Sequence, residues 1–452
     1  MVKIIFFSKF KKSILQNKAI IYGLSSKLWT IFSGTFTISL VVFYFTKTIQ
    51  GFYYTFASLL ALQTFAELGL GFVIQQFASH EWANLKYDKK IGIFGDSNSL
   101  SRLRSIAKIS FKWYFIAGSI SIILLSIFGS YFFYTTQHNY NIWFTPWIIL
   151  SCISGMTLML TPFWSILEGC NQVNKLYGFR LIQSILINVF TWVSVISNFG
   201  LWSIIISGCV TILCSLYFII KYYNKFFKEL FKIDTSGPVI SWKNDMFNMQ
   251  YKLALSWIFG YFSSNLFIPL IFKYKGPELA GQFGMTFSII SVICSLGLTI
   301  VTIKTPSLAI YGSKKDYISL NKLFNKLYKT LIFSTLSLAT FFYFFIIIAN
   351  FYNIHFFLKI ISRMLPISSI FLLLFAYFSN ILSVPFSIYM RTFKVEPVMI
   401  LSIIQSILIS ISVFFSLKYF SLNFMIIFYF VINFFILILI FKKWKTFKNN
   451  LI

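Results

Sequence analysis

Acidic residues are scarce in this sequence, which has 11 Asp and Glu but 39 Lys and Arg among 452 residues. Hydrophobic residues make up 58% of the chain, and a soluble protein of this length needs more charge to cover its surface. Apolar stretches of about 20 residues recur along nearly the whole chain, and a helix of that length crosses a hydrocarbon core. Strands of a membrane barrel alternate apolar and polar residues, whereas residues 371–375 are apolar without interruption. The sequence therefore predicts an all-α integral membrane protein.

Other scarce features exclude further classes of protein. The five cysteines form no CxxC pair and have no His nearby in sequence, so they predict small buried hydrophobes rather than a metal site. No GxxxxGK[ST] loop is present, which excludes nucleotide hydrolysis by that route. Arginine is rare and the basic residues flank apolar stretches, which disfavours nucleic-acid binding. We expect no cofactor and no metal.

The recurring apolar stretches predict about twelve transmembrane helices. Lys and Arg concentrate on the cytoplasmic side of membrane proteins. With the N-terminus inside, the predicted cytoplasmic segments hold 33 basic residues and the external turns hold 6. This asymmetry supports the count and places both termini in the cytoplasm. The predicted spans are residues 28–46, 52–78, 113–134, 143–168, 178–197, 200–220, 253–272, 279–303, 329–351, 364–390, 398–417 and 421–441.

The two halves of the sequence resemble each other. The hexapeptide IQSILI at residues 182–187 recurs unchanged at residues 404–409. Each half holds six predicted spans, so both halves start on the same side and the repeat is parallel, as in one class of secondary transporters. We expect two six-helix bundles around a central cleft. Further matches, in the same order, are Lys-Leu at 27–28 and 252–253, Leu-Gly-Leu at 68–70 and 296–298, and Pro-Phe at 162–163 and 385–386.

These patterns predict five regions. They are a cytoplasmic amphipathic segment (1–27), an N-terminal six-helix bundle (28–220), a cytoplasmic linker (221–252), a C-terminal six-helix bundle (253–441) and a basic cytoplasmic tail (442–452).

A polar stripe marks the second predicted span. Ionisable side chains inside a span are costly and usually face a cavity or a partner, and Glu67 lies about fifteen residues into this span. Gln63, Glu67, Gly71 and Gln75 recur at a spacing of four, which places them on one side of a helix. Span 8 carries a milder polar stripe at the equivalent positions. In one interpretation, the two stripes line a hydrated cleft between the halves. In the other, Glu67 is protonated and bonded to a neighbouring helix. The span 8 positions are Ser291, Ser295, Thr299 and Ile303.

Charged residues near the predicted cytoplasmic span ends are candidates for a cationic mouth that captures a phosphate group, since Arg suits bidentate contacts. An ordinary positive-inside flank, which needs no substrate, explains the same residues. These candidates are Lys27, Glu168, Arg180, Lys252, Lys304 and Arg391.

Two pairs of residues match across the repeat. Pro162 and Pro385 interrupt the hydrogen-bond ladder near the ends of spans 4 and 10, either as hinges or as fixed bends. Gln183 and Gln405 either line the cleft or bond between helices.

Several segments resemble the O-antigen flippase-like (Wzx-type) polysaccharide transporters. GFYYTFAS at 51–58, ELGL at 67–70 and QFASHE at 76–81 are similar to the second-span region of that family. Glu168-Gly169 before a basic loop, and Arg391 with Lys394, Glu396 and Pro397, resemble the ends of its fourth and tenth spans. The family belongs to the multidrug/oligosaccharidyl-lipid/polysaccharide superfamily.

The resemblance implies a flippase, not an enzyme, in the bacterial inner membrane. Its cargo would be an undecaprenyl-diphosphate-linked oligosaccharide such as an O-antigen or capsule repeat unit, moved by alternating access with coupling to an H⁺ or Na⁺ gradient. Membrane lipids and other polysaccharide assembly proteins are the implied partners. The spans hold few basic residues at mid-depth, so binding would rely on Glu67, Gln63, Asn265 and aromatic side chains.

Three rival functions remain open. A multidrug exporter of the same superfamily would share the fold, but such exporters commonly carry a carboxylate in the first span, and span 1 has none. A membrane glycan polymerase or ligase would resemble others of its class in having a large external loop, whereas every predicted external turn is short. The third rival is a peptidoglycan-precursor flippase, which the sequence alone distinguishes poorly from a polysaccharide flippase.

Overall fold

A computed structural model describes residues 18–88, 92–136, 139–231, 237–393 and 397–450 of the chain. These residues form helices almost throughout, because apolar segments of this length satisfy their backbone hydrogen bonds internally. Up to the middle of the chain the helices are α1 (Lys18–Tyr44), α2 (Lys47–Leu60), α3 (Thr64–Glu67), α4 (Leu70–Trp82), α5 (Ser97–Thr136), α6 (Tyr140–Met159), α7 (Thr161–Gly169), α8 (Val173–Ile196), α9 (Trp202–Phe218) and α10 (Asn224–Leu230). Then follow α11 (Phe247–Ser264), α12 (Phe267–Lys275), α13 (Pro277–Ser313), α14 (Tyr317–Phe351), α15 (His355–Ile361), α16 (Ile367–Arg391), α17 (Met399–Tyr419) and α18 (Leu422–Asn449).

Ten stretches of helix in the described residues are long and apolar enough to cross a membrane. A bent pair, Lys47–Glu67 and Leu70–Trp82, makes eleven if it is counted as one span. The apolar part of α1, Leu28–Tyr44, is shorter. The predicted class of a helical, multi-span membrane protein is therefore confirmed, and the count of twelve stays a prediction.

The contacts of the chain divide it into two units. Unit 1 comprises the residues up to Phe45 together with Leu59–Ile258, and unit 2 comprises Thr46–Ser58 together with the residues from Phe259 onwards. Most of α2 therefore packs with helices that follow much later in the sequence. The five predicted regions stay predictions.

One end of unit 1 is built from segments that connect its long helices. A hairpin absent from the predicted elements pairs β1 (Leu85–Asp88) with β2 (Gly92–Gly95) in antiparallel register. It is fastened to α10 because Glu229 Oε2 accepts a hydrogen bond from the Ile93 N–H at 2.6 Å. A side chain at Gly92, where φ is +100°, would collide with that carboxylate. We call the hairpin, α10 and residues 237–246 the basic end of unit 1.

Within unit 2, α2 is held tightly against α12 and α13. Gly51 lies directly against the backbone of Pro277, so no side chain fits there. The buried Gln50 donates hydrogen bonds from Nε2 to the carbonyl oxygens of Gly281 (3.0 Å) and Arg363 (3.2 Å). The Phe52 ring packs edge-on against Phe272, with centroids 5.1 Å apart. Close backbone approach and buried hydrogen bonds thus fix this part of α2 in unit 2.

Candidate functional site

The second predicted span is broken in the middle of unit 1, next to its one carboxylate. Helix α3 ends at Glu67, and Leu68 and Gly69 follow in the left-handed conformation with φ of +50° and +67°. Helix α4 then starts at Leu70, and the two halves of the span meet at 47°. Glycine adopts this conformation without strain, whereas a leucine does so at a cost of about 1–2 kcal/mol. Strained backbone of this kind concentrates at functional sites.

Three side-chain oxygens converge on Gly71, in the first turn of α4. A Cβ atom at Gly71 would lie 3.0 Å from Glu67 Oε1 and 3.1 Å from both Ser165 Oγ and Tyr114 Oη. The Tyr114 hydroxyl donates to Glu67 Oε1 at 3.4 Å. The carboxylate also lies beside the first turn of α4, where the helix dipole favours negative charge. We call Glu67, Tyr114, Ser165 and Gly71 the Glu67 cluster.

The rest of the predicted stripe surrounds the break. Gln63 is half-buried, and its Oε1 accepts a hydrogen bond from Ser154 Oγ at 2.5 Å. It also lines a mostly apolar cavity of about 450 Å³ between residues 59–66, α5 and Trp147 of α6. Gln75 is half-buried on α4, beyond the bend. The prediction that these residues share one side of a helix required a continuous helix. Because the helix is broken after Glu67, Gln63 and Gln75 do not lie on one common helix face.

The matching span in unit 2 is different, because α13 runs unbroken through Leu296, Gly297 and Leu298. Its hydroxyl groups bond to carbonyl oxygens of their own helix, as Ser295 does to Val292. Ser291 and Thr299 do the same, and Ile303 is exposed. The polar break is thus found in one half of the repeat, and the cleft between the halves stays a prediction.

The two matched prolines also differ. Pro162 lies in the first turn of α7, after α6 has ended at Met159, so span 4 is broken where this proline begins a new helix. Pro385 lies inside the continuous helix α16. Gly169, at the end of α7, lies directly against the backbone of α4. A Cβ atom added to Gly169 would be only 2.6 Å from the Gln75 carbonyl oxygen. The segments that follow the two interruptions, α4 and α7, therefore form one packed pair.

The charged candidates take different positions. Glu168 and Arg180 form an ion pair with 2.7 Å between Oε1 and Nη2, and the Glu168 side chain is 15% exposed. Lys304 and Arg391 are exposed on α13 and α16 of unit 2. The side chains of Lys27 and Lys252 lie outside the described residues. Arg180 is thus held by a protein carboxylate, and the cationic mouth stays a prediction.

The matched glutamines bond between helices in the same way. Gln183 Nε2 on α8 donates to the Thr211 carbonyl oxygen of α9 at 3.0 Å. Gln405 Nε2 on α17 donates to Asn433 Oδ1 of α18 at 2.6 Å. Both acceptors lie 28 residues after their glutamine. At this pair of positions the sequence repeat is therefore also a repeat of interhelical contacts, and helix bonding is the interpretation that the geometry favours.

Asn265 marks a further break, between α11 and α12 in unit 2. Its carbonyl oxygen accepts a short hydrogen bond from Ser58 Oγ, and its Nδ2 donates to Ser264 Oγ at 3.0 Å.

The residues of the Glu67 cluster that sequence reasoning missed, Tyr114 and Ser165, carry no signal of their own, because Ser and Tyr are frequent in apolar helices. Only the fold brings them to the carboxylate.

No family model matches the chain, and no curated protein matches it. Solved structures of membrane transporters do share its fold. An inward-facing conformation of a multidrug resistance MATE family transporter of the MOP superfamily aligns with a TM-score of 0.62 and 14% identity, over 96% of this chain and 95% of the other. A MOP superfamily transporter from Pyrococcus furiosus, described by a reversed polarity of its binding pocket, aligns at 0.50 and 15% over 96% and 93%. The chain therefore has the fold of MOP superfamily transporters.

Proposed function

We propose that this chain is a flippase that moves an undecaprenyl-diphosphate-linked oligosaccharide across the bacterial inner membrane by alternating access. The Glu67 cluster is the observation that carries the proposal. A carboxylate at a broken span is the arrangement that secondary transporters use for substrates and coupling ions. The choice of cargo rests on the resemblance of residues 51–81 to polysaccharide transporters.

The proposed cycle needs no covalent chemistry. The diphosphate-sugar headgroup enters from the cytoplasmic side while the polyprenyl chain stays in lipid, since polar groups cost many kcal/mol in hydrocarbon. The packed pair of α4 and α7 then shifts about the joints at Gly69 and Pro162. Because Glu67 lies at the first joint, binding of a proton or a Na⁺ ion there would bias the position of the pair. Coupling through Glu67 is thus part of the proposal.

The test is complementation of a deletion strain with Glu67→Gln, with surface glycan and inner-leaflet lipid-linked intermediate as the two readouts. We expect the deletion strain to lose surface glycan and to accumulate the intermediate. Glu67→Gln should neither restore the glycan nor prevent the accumulation. Glu278→Gln changes an exposed carboxylate at the start of α13 and is the matched control. It should restore surface glycan and prevent the accumulation of the intermediate. Normal glycan without accumulation in the deletion, where no redundant transporter is present, would refute the cargo assignment.

The coupling is tested separately. Purified protein in vesicles should flip a fluorescent lipid-linked oligosaccharide faster under an imposed pH or Na⁺ gradient, and Glu67→Gln should abolish the gradient dependence. Full translocation by this variant across the imposed pH range would exclude coupling through Glu67.

A multidrug exporter of the same superfamily fits the fold equally well. In that case the deletion strain would show normal glycan but greater sensitivity to cationic dyes and drugs. A peptidoglycan-precursor flippase would instead cause the cell-wall precursor to accumulate. These two outcomes distinguish the alternatives from the proposed cargo.

A further inference from the structure

Two cavities of unit 1 share one lining residue and differ in chemistry. The first, of about 660 Å³, is lined by α8, α9 and Tyr22 of α1. Its lining is mostly apolar but includes Lys175 and Gln183. The second, of about 400 Å³, is lined by Tyr87, Tyr222, Asn224 and three lysines. Tyr222 lines both cavities, so an apolar groove leads into a cationic cleft. The lysines are Lys221, Lys225 and Lys228.

A local irregularity of the helix joins the two cavities. Helix α9 ends at Phe218 and continues as a π-helical turn, Ile219–Tyr223, before α10. Such turns are rare and frequently occur at functional sites. Lys221 Nζ donates a hydrogen bond to the Tyr217 hydroxyl of the groove and lies 4.9 Å from the centroid of that ring. The π-helical turn thus carries Lys221, which lines the cleft and contacts Tyr217 of the groove, and Tyr222, whose side chain lines both.

The groove opens to the outside of unit 1. Ile182 and Tyr217, which line it, are 59% and 58% exposed. Phe179 and Phe218 stack at its floor, with ring centroids 4.1 Å apart. Ile182 and Tyr217 lie on helices that are long and apolar enough to cross a membrane, so exposed side chains of this kind suit contact with acyl chains. Tyrosines are also typical of the level at which a membrane meets water.

The cleft carries a net positive charge. All three of its lysines are exposed. Glu229, the acidic residue that follows Lys228 on α10, is held by the hairpin through the Ile93 N–H. Asp88 follows Tyr87 on the hairpin, so one further carboxylate lies next to a lining residue. Three lysines therefore line one cleft, and its other lining residues are tyrosines and an asparagine.

We propose that the groove and the cleft together bind one anionic glycerophospholipid of the adjacent leaflet. Its acyl chains occupy the groove along α8 and α9, and its phosphate lies among Lys221, Lys225 and Lys228. A free phosphate would leave the groove empty, and a neutral lipid would not match the positive charge of the cleft. The combination fits a molecule with both parts, and the site does not involve the Glu67 cluster.

Native mass spectrometry of the full chain in a neutral detergent tests this, with dioleoylphosphatidylglycerol as the probe. Lys221→Gln/Lys225→Gln/Lys228→Gln should weaken binding of the first lipid about tenfold or more, since each lysine near an anionic headgroup matters measurably. The matched control changes three exposed lysines close together near the end of α18 and should leave that binding unchanged. The control positions are Lys442, Lys443 and Lys445.

Two further measurements separate the groove from the charge. In the unaltered protein, dihexanoylphosphatidylglycerol should bind at least about tenfold more weakly than the long-chain lipid, because burial of each methylene contributes about 0.8 kcal/mol. Cys214→Trp, which narrows the groove, should weaken the long-chain lipid while leaving the lysines in place. Thermal unfolding checks that this variant is folded.

Three results would overturn the proposal. The first is an equal loss of binding in both triple-lysine variants, which would indicate general surface charge. The second is equal affinity for the short-chain and long-chain lipids. The third is displacement of phosphatidylglycerol by an equimolar amount of undecaprenyl diphosphate, which would assign the site to a polyprenyl diphosphate instead.

Discussion

Gly71 is the residue on which the packing of the Glu67 cluster depends. We predict that Gly71→Ala lowers transport severely, because its methyl group would lie about 3 Å from three oxygens that must then move apart. Overpacking of this kind costs roughly 1–3 kcal/mol. Thermal unfolding in detergent and a translocation assay per folded molecule would measure the two effects.

Gly34 provides the matched control for this substitution. It lies in α1 with no atom within 4 Å of a built Cβ. Gly34→Ala should therefore leave transport unchanged and stabilise the helix by about 0.5–1 kcal/mol. Normal transport by Gly71→Ala would mean that the convergence of the three oxygens has no functional role.

Asp316 gives a pH-dependent prediction outside the membrane-spanning segments. Its Oδ1 accepts a hydrogen bond from the Ser319 N–H at 3.1 Å at the start of α14, and this bond lowers the carboxyl pKa below its ordinary 3.8. A lowered folded-state pKa contributes stability that is present above the unfolded pKa and is lost as pH falls through the folded pKa.

Asp316→Asn should therefore remove part of the loss of stability below about pH 4 while keeping a capping acceptor. The measurement is the unfolding midpoint of the detergent-solubilised protein from neutral to acidic pH, compared with Asp316→Ala, which removes the cap at every pH. Identical acid profiles for the original protein and Asp316→Asn would contradict the assignment.

At the scale of the element, Gly69 and Gly297 occupy matched Leu-Gly-Leu positions with different physical roles. Gly69 adopts φ of +67° at the break of span 2, whereas Gly297 lies in a continuous helix with the Thr335 methyl directly against it. We predict that Gly297→Ala is destabilising by roughly 1–3 kcal/mol and that Thr335→Ser, which removes that methyl, restores the loss. Unfolding midpoints of the single and double variants measure this.

Gly69→Ala should behave differently, because its cost lies in the backbone conformation and not in a neighbouring side chain. A built Cβ at Gly69 has Leu253 Cβ as its nearest atom, at 3.1 Å. Leu253→Gly, which removes that nearest atom, should therefore not rescue transport by Gly69→Ala. Recovery of transport in that double variant would show that packing, and not φ, makes Gly69 necessary.

The elements also show where prediction from sequence ends. The apolar runs predicted the long helices, because a membrane requires about 20 apolar residues in each span. The break after Glu67 was not predicted, because Leu68 has ordinary helix propensity and its left-handed conformation is imposed by the surrounding structure. The Leu-Gly-Leu sequence is in fact continuous helix at residues 296–298. The same three residue types therefore allow both outcomes, and tertiary contacts decide between them.

At the scale of the whole molecule, the repeat could be recognised from the sequence. The packing of most of α2 with unit 2 could not. Matched hexapeptides identified the two halves, since they lie on α8 and α17 in equivalent positions. The placement of residues 46–58 in unit 2 depends on Gly51 meeting Pro277 across more than 200 positions of sequence. A glycine in an apolar helix does not by itself indicate which backbone approaches it.

The repeat makes a final prediction about the whole molecule. Gln183 and Gln405 make equivalent hydrogen bonds to the following helix, so Gln183→Leu and Gln405→Leu should destabilise their own units by similar amounts. Interhelical hydrogen bonds in membranes contribute about 0.6 kcal/mol on average. Because the two sites share no partner, the effects should add in the double variant. Translocation per folded molecule should stay unchanged.

Gln63→Leu is the contrasting variant, because Gln63 lies one turn from Glu67 and bonds to Ser154 beside the Glu67 cluster. We expect it to lower translocation more than it lowers the unfolding midpoint. If Gln183→Leu or Gln405→Leu instead lowered translocation without affecting the midpoint, that side chain would contact the cargo, and the other sequence-based interpretation would be the correct one. The comparison thus separates side chains that hold each unit together from those that serve transport.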